Sequence, residues 1–305
     1  MGDRIGVSVT IVGLSHLFGD DLAALVEAAR IADEAGVDQL VLPDHLAIGT
    51  RTDRYPYGEF PLPREEPWLE PITTLAAMAG ATRRIRLGTG ILIVPLRPAL
   101  LLAKTLASLD VLSRGRLDLG VGTGWQREEF DGAGVPFSGR TSRMDDTLRA
   151  CRVLWRQAPA SFRSPTVRFD RLWCLPRPLQ PGGIPIWIGG ALTPGNVARL
   201  VEYGVGWMPL ESNPDVLGKG IEQLREAFAA AGRDPETLQV RASAPLVRNG
   251  AGHVDLDATL EALPAFREVG VTLASFALAR FARRPDQIRP FLERLGRGSR
   301  GPVPA

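Results

Sequence analysis

Short apolar runs rich in β-branched residues alternate along the chain with longer segments in which apolar positions recur at helical spacing. The pattern predicts eight strands, at residues 4–11, 39–43, 85–93, 116–122, 185–188, 206–210, 238–247 and 272–277. It predicts helices between them, the first beginning at Asp20 or Asp21 and ending at Gly36, and the others at residues 71–82, 98–113, 142–156, 194–203, 214–231, 256–269 and 285–295.

Eight strands, each followed by a helix, are typical of a (β/α)8 TIM barrel. The strands are apolar almost throughout, which suits a parallel sheet that is buried on both faces. An open, doubly wound sheet is the alternative, but it usually has fewer strands and a GxGxxG turn after the first, which this chain lacks. We therefore predict a single barrel domain over residues 1–297 and a flexible C-terminal tail over residues 298–305.

Two connections are unusually long: residues 47–68, and residues 125–142 together with 158–183 around the fourth helix. Long ordered loops in compact domains usually carry function, and both connections follow a strand's C-terminal end, where barrel active sites lie. We predict that they form lids over a pocket and line the substrate site. Arg51, Arg54, Tyr55 and Tyr57 in the first loop are expected to be solvated, with contact to a polar cofactor tail as the alternative.

The composition of the chain limits the kinds of partner that we expect it to bind. Apolar residues make up 45% of the 305 residues and charged residues 23%, as in ordinary globular proteins. A formal net charge of +2 gives no reason to expect a nucleic-acid or membrane partner, and no apolar stretch reaches the roughly 18–20 residues of a membrane span. The first residues do not resemble a signal peptide, and Cys151 and Cys174 lack metal-binding spacing. We expect a cytoplasmic protein with reduced thiols.

The residue inventory argues against two common barrel chemistries. Lys104 and Lys219, the two lysines of the chain, both fall in predicted helices, so a Schiff-base lysine at a strand end is missing. A metallohydrolase needs several converging histidines and carboxylates, whereas this chain has three histidines. We predict no metal site.

Pro43-Asp44-His45 follows the predicted second strand directly, which places His45 at the mouth of the barrel. An imidazole is the natural proton donor or acceptor at neutral pH, and we predict a catalytic role for His45. A merely hydrogen-bonded loop histidine is the alternative, while Asp44 could orient this loop or cap a turn. His16, in the loop after the first strand, is a second candidate for the pocket, whereas His253 is expected to be solvated.

Glycines accumulate along three strands. Residues 88–91 (Gly-Thr-Gly-Ile) lie inside the third strand, where glycine marks a bulge or a close approach of backbone to ligand; we predict a surface for a flat ring, with strand irregularity as the alternative. Residues 120–125 (Gly-Val-Gly-Thr-Gly-Trp) end the fourth strand, and their three alternate glycines expose backbone N–H groups. This is a weak signal for contact with a phosphate or a ring edge, with a glycine-rich strand end and a packing tryptophan as the alternative. Residues 188–194 run into a helix N-terminus, an anion site at which Thr193 either caps the helix or donates to a phosphate.

Taken together, these segments resemble the bacterial luciferase-like monooxygenase superfamily, and within it the deazaflavin (coenzyme F420)-dependent oxidoreductases. The resemblance extends over essentially the whole chain. It is carried most specifically by Arg97-Pro98, by residues 103–104, 107–116 (ASLDVLSRGR), 119–125 (LGVGTGW) and 128–130 (EEF), and further by Pro43-Asp44-His45 and residues 185–190 (PIWIGG) and 204–207 (GVGW).

The resemblance implies an insertion-bearing barrel that holds a flavin or deazaflavin ring over a bulge in the third strand, often with a cis peptide bond, here between Gly90 and Ile91. It also implies phosphate contacts from the turn at residues 189–193, a proton-handling His45 and a homodimer. The residues expected to bind the cofactor are Asp44, Thr89, Gly90, Ile91, Gly122, Thr123, Gly124, Gly189, Gly190 and Thr193, and those expected at the substrate pocket are His16 and Trp125.

Two departures from the family's patterns matter. The deazaflavin-dependent sugar-phosphate dehydrogenases carry a glutamate where this chain has Trp125, and they use lysines that this chain does not offer, so a sugar phosphate is a poor expectation. Luciferases proper often have an arginine where this chain has Thr123, which disfavours FMN.

The functional expectation is hydride transfer between coenzyme F420 and a small organic substrate, with His45 as the proton partner. The first alternative is an FMN-dependent two-component monooxygenase that receives reduced flavin from a separate reductase. The second is a non-catalytic flavin-binding protein, which would bind cofactor without turnover.

Overall fold

The computed structural model of the protein describes residues 4–298. Eight parallel strands close into a barrel in the order β1-β10-β9-β8-β7-β4-β3-β2, and β5 and β6 form a separate antiparallel hairpin. The strands are β1 (Gly6–Thr10), β2 (Gln39–Leu42), β3 (Arg86–Ile93), β4 (Leu117–Gly122), β5 (Ala160–Arg163), β6 (Arg168–Leu172), β7 (Ile186–Gly189), β8 (Gly204–Met208), β9 (Gln239–Ser243) and β10 (Leu273–Ala277). The predicted TIM barrel and its eight strands are confirmed.

Helices surround the barrel and occupy the connections between its strands. They are α1 (Leu14–Phe18), α2 (Ala24–Ala35), α3 (Pro71–Ala81), α4 (Ala99–Leu112), α5 (Arg127–Gly132), α6 (Arg140–Arg156), α7 (Pro194–Glu202), α8 (Pro214–Ala230), α9 (Leu256–Glu261), α10 (Leu263–Glu268), α11 (Leu278–Phe281) and α12 (Pro285–Gly298). The helix predicted at residues 256–269 is two helices, because Pro264 lacks an N–H group and interrupts the bonding pattern. Segments predicted as loops contain α1, α5, α11 and the β5–β6 hairpin.

Local sequence signals set several helix ends. Gly36 ends α2 in the left-handed conformation with φ of 82°, and its N–H bonds back to the last turn. Pro71 begins α3, and the Glu70 side chain caps that helix by accepting from the Thr73 N–H at 2.7 Å. These caps satisfy backbone groups that have no partner inside the helix and so fix where each helix ends or begins.

A chain of polar side chains crosses the interior of the barrel. Ser8 Oγ donates to Gln39 Oε1 at 3.0 Å, and Gln39 Nε2 donates to Asp118 Oδ2 at 2.8 Å. Because Gln39 is on β2 and Asp118 on β4, with β3 between them, this second bond spans non-adjacent strands. Arg86 closes the chain with a salt bridge to Asp118. Part of the barrel interior is therefore hydrogen-bonded instead of purely apolar.

The structure also bears on the two cysteines, on membrane-spanning helices and on the predicted C-terminal tail. Cys151 and Cys174 are buried free thiols, and burial raises the pKa of the Cys151 thiol. Within residues 4–298, no helix combines the length and the apolar character that a membrane crossing requires. Gly298 ends α12, and residues 299–305 of the predicted tail lie outside the described residues.

Candidate functional site

A cavity of about 780 Å³ opens at the C-terminal face of the barrel. The last residues of six barrel strands line it, which are Thr10, Ile93, Gly122, Gly189, Met208 and Ser243. Most of the predicted site residues also line it, namely Asp44, His45, Gly90, Ile91, Gly122, Thr123, Gly124, Trp125, Gly189, Gly190 and Thr193. Residues that the sequence singled out at several strand ends therefore converge on one cavity, while their functional roles stay predictions.

His45 lies at the wall of this cavity and is 9% exposed. Its Nδ1 atom is 3.2 Å from Oε2 of Glu129, and the other Glu129 oxygen accepts from the Leu46 N–H at 2.6 Å. An ionised carboxylate can only accept, so the Nδ1 atom carries the proton and a neutral ring offers Nε2 as its acceptor. The pair therefore fixes both the orientation and the tautomer of the imidazole.

Glu129 was not predicted as a site residue, although residues 128–130 contributed to the family resemblance. It lies on α5, and its side chain is completely buried. The neighbouring Phe130 is also buried and packs with Ile93 and Leu96, which anchors this short helix against the barrel. The sequence feature that could have indicated Glu129 is the pair of adjacent glutamates, Glu128 and Glu129, in the short helix after β4. The one next to the buried Phe130 lies on the side of the helix that faces the barrel.

A cluster of aromatic rings packs around His45 at the wall of the cavity. The Trp68 ring is 4.8 Å from the His45 ring, and the Trp125 ring is 5.2 Å from Tyr55 and 5.6 Å from Phe60, measured between centroids. Residues 47–68 therefore fold over the cavity and contact Trp125, as expected of a lid. Such offset and edge-on ring contacts stabilise packing beyond the area that they bury.

The expectation that the polar residues of this lid are solvated is only partly right. Tyr55, Tyr57 and Arg54 line the cavity, and burial raises the pKa of the half-buried Tyr55 phenol. Arg51 is exposed and pairs with Asp53 at 2.8 Å. Aromatic packing against Trp125 holds Tyr55 inward, and no periodic pattern in this loop could reveal that contact.

The side chain of Asp44 is bound by other protein groups, in place of the predicted contact with a cofactor. Its buried carboxylate accepts from Arg97 at 2.6 and 2.9 Å and from the Ile93 N–H at 2.8 Å. Arg97 also contacts Glu70 at 3.0 Å. Because both Asp44 oxygens already have donors, this geometry favours the alternative reading, in which Asp44 orients the loop that carries His45.

The predicted bulge in the third strand is present. The register between β3 and β4 shifts between Thr89 and Leu92, and the Gly90–Ile91 peptide bond is cis, as the family resemblance implied. Thr89 is buried, and its hydroxyl donates to the Gly120 carbonyl at 2.7 Å, so its side chain ties β3 to β4 and does not line the cavity.

The glycines around the bulge have a packing role that the sequence did not show. A Cβ atom at Gly122 would lie 2.6 Å from Ile91 Cδ1, and one at Gly189 would lie 2.6 Å from Ile91 Cγ2. A Cβ atom at Gly90 would lie 2.4 Å from Val41 Cγ1. The space that these glycines leave is therefore filled by protein side chains, and the Ile91 side chain itself forms part of the cavity wall.

The turn before α7 keeps open space beside it. Gly190 has φ of 99°, and a Cβ atom there would meet only Tyr57 Oη at 3.9 Å and Asn196 Nδ2 at 4.0 Å. Thr193 caps α7 by accepting from the Asn196 N–H at 3.2 Å, which leaves its hydroxyl proton free to donate. The predicted capping role is confirmed, and contact with a phosphate stays a prediction.

Two cationic side chains were missed as cavity residues. Arg140 donates to the Gly124 carbonyl at 3.2 Å and lies 4.0 Å from the centroid of the Phe137 ring. Arg241, on β9, is 7% exposed, and burial lowers its pKa to about 10. The sequence feature that could have indicated Arg241 is a single charged residue within a predicted strand that is otherwise mostly apolar.

His16 does not reach the cavity. It lies on α1 at an exposed position and is not among the lining residues, so its predicted place in the substrate pocket is wrong. Among residues 4–298 there is no cluster of three or more histidine, cysteine or acidic side chains that could hold a metal ion.

Comparison with known proteins agrees with the geometry. The model of the family described as luciferase-like monooxygenase matches residues 4–293. An uncharacterised protein of Mycobacterium tuberculosis is 32% identical over 274 residues, which cover 88% of this chain and 91% of the relative.

Two solved structures share the fold. A monooxygenase from Streptomyces bottropensis has a TM-score of 0.75 at 21% identity, and the match covers 97% of this chain and 98% of the other. A coenzyme F420-dependent tetrahydromethanopterin reductase from Methanopyrus kandleri has a TM-score of 0.73 at 17% identity, with the same two coverages. At these identities the structures establish the fold, and the family follows from the sequence match over nearly the whole chain. The protein belongs to the luciferase-like monooxygenase family.

Proposed function

We propose that this protein is a coenzyme F420-dependent oxidoreductase that transfers hydride between the deazaflavin and a small organic substrate. The observation that carries the proposal is His45, which lines a cavity of about 780 Å³ while its Nδ1 atom is held by the buried carboxylate of Glu129. A proton-handling group at the wall of a large cavity, next to a strand bulge, is what hydride transfer to a carbonyl or similar acceptor requires.

The residues of the cavity fit a cofactor with a flat ring and a phosphate. Ile91, Trp68 and Trp125 supply apolar surface for the ring, and the cavity volume lies at the upper end of small-molecule sites, which reach about 1,000 Å³. Gly190 and Thr193 stand at the N-terminus of α7, where free N–H groups and the helix dipole favour an anion. Arg140 adds a cation at the same cavity.

Each catalytic side chain has a defined task. The deazaflavin supplies or accepts the hydride when it is bound. Doubly protonated His45 donates the matching proton from Nε2, and neutral His45 accepts that proton at Nε2 in the reverse direction, because a carbonyl that gains hydride at carbon must gain a proton at oxygen. Glu129 stabilises the protonated imidazole and holds its orientation. Tyr55, Phe60 and Trp125 cover the site and exclude water.

One feature supports the deazaflavin over FMN: Thr123 stands at the cavity where luciferases often have an arginine. The structural likeness includes an F420-dependent reductase but does not discriminate between the two cofactors. The likeness to a monooxygenase is equally good, so an FMN-dependent monooxygenase is the competing outcome of the test.

Parallel titrations with F420 and with FMN test the proposal, with tryptophan fluorescence as the signal. Trp68 and Trp125 line the cavity, so a ring bound there should quench part of the emission of the six tryptophans. We expect a micromolar Kd for F420 and a Kd for FMN that is at least tenfold weaker. Trp173, which is 61% exposed and lies outside the cavity lining, provides the control, because Trp173→Phe should leave the quenching unchanged. Micromolar binding of FMN without binding of F420 would contradict the proposal.

A further inference from the structure

Arg241 is a buried cation on β9 at the inner end of the cavity. Its Nε atom donates to Ser8 Oγ at 3.0 Å, and its Nη2 atom donates to Ser275 Oγ at 2.7 Å and to Thr10 Oγ1. All of these partners are neutral hydroxyls. Over the part of the chain that the structure describes, the guanidinium therefore has no carboxylate as a hydrogen-bond partner.

The third nitrogen of this guanidinium points toward the bulge in β3. A Cβ atom at Gly90 would lie 3.2 Å from Arg241 Nη1, so this nitrogen lies beside the Gly90–Ile91 segment that lines the cavity. The hydrogen bonds of the guanidinium within residues 4–298 come from Nε and Nη2. Both N–H groups of Nη1 are therefore available to a molecule in the cavity.

The hydroxyls around Arg241 do not depend on it. Ser8 Oγ also donates to Gln39 Oε1 at 3.0 Å, and Thr10 Oγ1 lies 3.1 Å from Ser275 Oγ, so these groups can satisfy one another. Burial lowers the pKa of Arg241 to about 10, and the negative charge of Asp118 offsets only part of this effect. A buried cation that is bonded to neutral hydroxyls and keeps one nitrogen beside a cavity is typical of a ligand-binding group.

The charged side chains that line the cavity favour a ligand with a negative charge. Arg54, Arg140 and Arg241 line it, whereas Asp44, the acidic residue of the same lining, is paired with Arg97. Ser243 lies two residues after Arg241 on β9, hence on the same face of the strand, and also lines the cavity. A guanidinium nitrogen and a hydroxyl together supply the donors that a carboxylate accepts.

We propose that Arg241 and Ser243 bind a carboxylate of the substrate, so that the protein acts on small carboxylate-bearing molecules. The role of this carboxylate compound as a substrate rests on the proposed function, whereas its binding does not. An oxygen at the edge of the cofactor ring offers similar acceptor chemistry, and the experiment below separates the two sources. The Gly190–Thr193 turn and the less buried Arg54 and Arg140 offer the cofactor phosphate its own partners, which leaves the more deeply buried Arg241 for a second anion, the carboxylate of the substrate.

Benzoate and benzamide, which have similar shapes and differ in charge, are the probes. Each is titrated into the cofactor-free full-length protein by isothermal titration calorimetry at pH 7. We expect benzoate to bind at least tenfold more tightly than benzamide to the unmodified protein. Arg241→Met should remove this preference, and Arg163→Met, which removes an exposed charge on β5 outside the cavity lining, should retain it.

Three results would overturn the proposal: equal binding of benzoate and benzamide to the unmodified protein, a preference for benzoate that survives in Arg241→Met, or binding of F420 or FMN that is at least tenfold weaker in Arg241→Met than in the unmodified protein. Circular dichroism verifies folding, and Arg241→Gln replaces Arg241→Met if the latter does not fold. Because the titration uses protein without cofactor, failure of the F420 proposal leaves this result interpretable.

Discussion

Nδ1 of His45 lies 3.2 Å from Oε2 of Glu129, and the Glu129 side chain is completely buried. This contact couples a residue in the loop after β2 to a short helix after β4, and it gives the imidazole a fixed direction and a partner for its positive charge. The chemistry proposed above depends on both properties, so variants of the two residues should have different signatures.

Glu129→Gln keeps an oxygen for the Leu46 N–H but removes the negative charge beside His45. We expect turnover to fall about 10- to 100-fold, and His45→Ala to lower it about 10²–10⁴-fold, since general acid–base catalysis contributes on that scale. The Kd for the cofactor should change by less than about threefold in both variants. Stopped-flow oxidation of the reduced cofactor gives the rate and fluorescence titration gives the Kd. A Glu129→Gln protein with unchanged turnover would show that the pair has only a structural role.

The Asp44–Arg97 ion pair is expected to stabilise the fold. Asp44→Asn leaves Arg97 partly buried with a neutral partner, and loss of one member of a buried pair typically costs about 3–5 kcal/mol. We expect the free energy of urea unfolding to fall by about 2–4 kcal/mol. The control is Asp53→Asn, which alters an exposed pair with Arg51 and should leave the urea midpoint unchanged. An equal effect in both variants would be inconsistent with the burial argument.

Arg241→Met should not destabilise the protein. Burial lowers the pKa of Arg241 from 12.5 to about 10. Below pH 10 both the folded and the unfolded chain hold this proton, and the folded state carries the full cost of the buried charge; the cost disappears only as the pH rises from about 10 to 12.5. At pH 7 the shift corresponds to roughly 3 kcal/mol, so we expect the unfolding free energy of Arg241→Met to rise by about 1–3 kcal/mol. Urea unfolding of Arg241→Met, with Arg163→Met as the control, measures this change in free energy. A clear loss of stability in Arg241→Met would mean that Arg241 supports the fold.

Gly122→Ala should disturb the cavity through Ile91. The added Cβ atom would lie 2.6 Å from Ile91 Cδ1, at the far end of a flexible side chain, so Ile91 must move where it lines the cavity. We expect cofactor binding to weaken about tenfold with little loss of stability. Gly80→Ala is the matched control, because Gly80 lies within α3 and a Cβ atom there meets nothing within 4 Å. That variant should bind cofactor normally and gain about 0.5–1 kcal/mol. Normal binding by Gly122→Ala would place the cofactor elsewhere in the cavity.

The lid should loosen when its ring contacts are removed. Tyr55 contacts Trp125 at 5.2 Å and Phe60 at 5.3 Å, so Tyr55→Ala removes two contacts that close residues 47–68 over the cavity. We expect trypsin to cleave this variant after Arg51, Arg54 or Arg64 about tenfold faster than the unmodified protein. Mass spectrometry of the fragments identifies the cleavage sites and their rates. Phe169→Ala, which removes a stacked ring pair in the β5–β6 hairpin, should leave these cleavage rates unchanged.

The sequence predicted the barrel because strands and helices are marked by local periodicity, caps and breakers. It predicted His45 because the second strand ends just before it. It did not predict Glu129, since that contact joins residues 84 positions apart through the packing of a six-residue helix. It also could not show that Gly122 and Gly189 make room for Ile91, because glycine marks a close approach without indicating whether ligand or protein fills the space.

The oxygen dependence of turnover distinguishes F420-dependent hydride transfer from oxygen activation by reduced FMN. We expect the protein to oxidise reduced F420 at the same rate in air and under argon when a carbonyl substrate is present, and the rate to fall at least 100-fold in His45→Ala. Turnover that requires reduced FMN and stops when oxygen is removed would contradict the account and identify the protein as a monooxygenase.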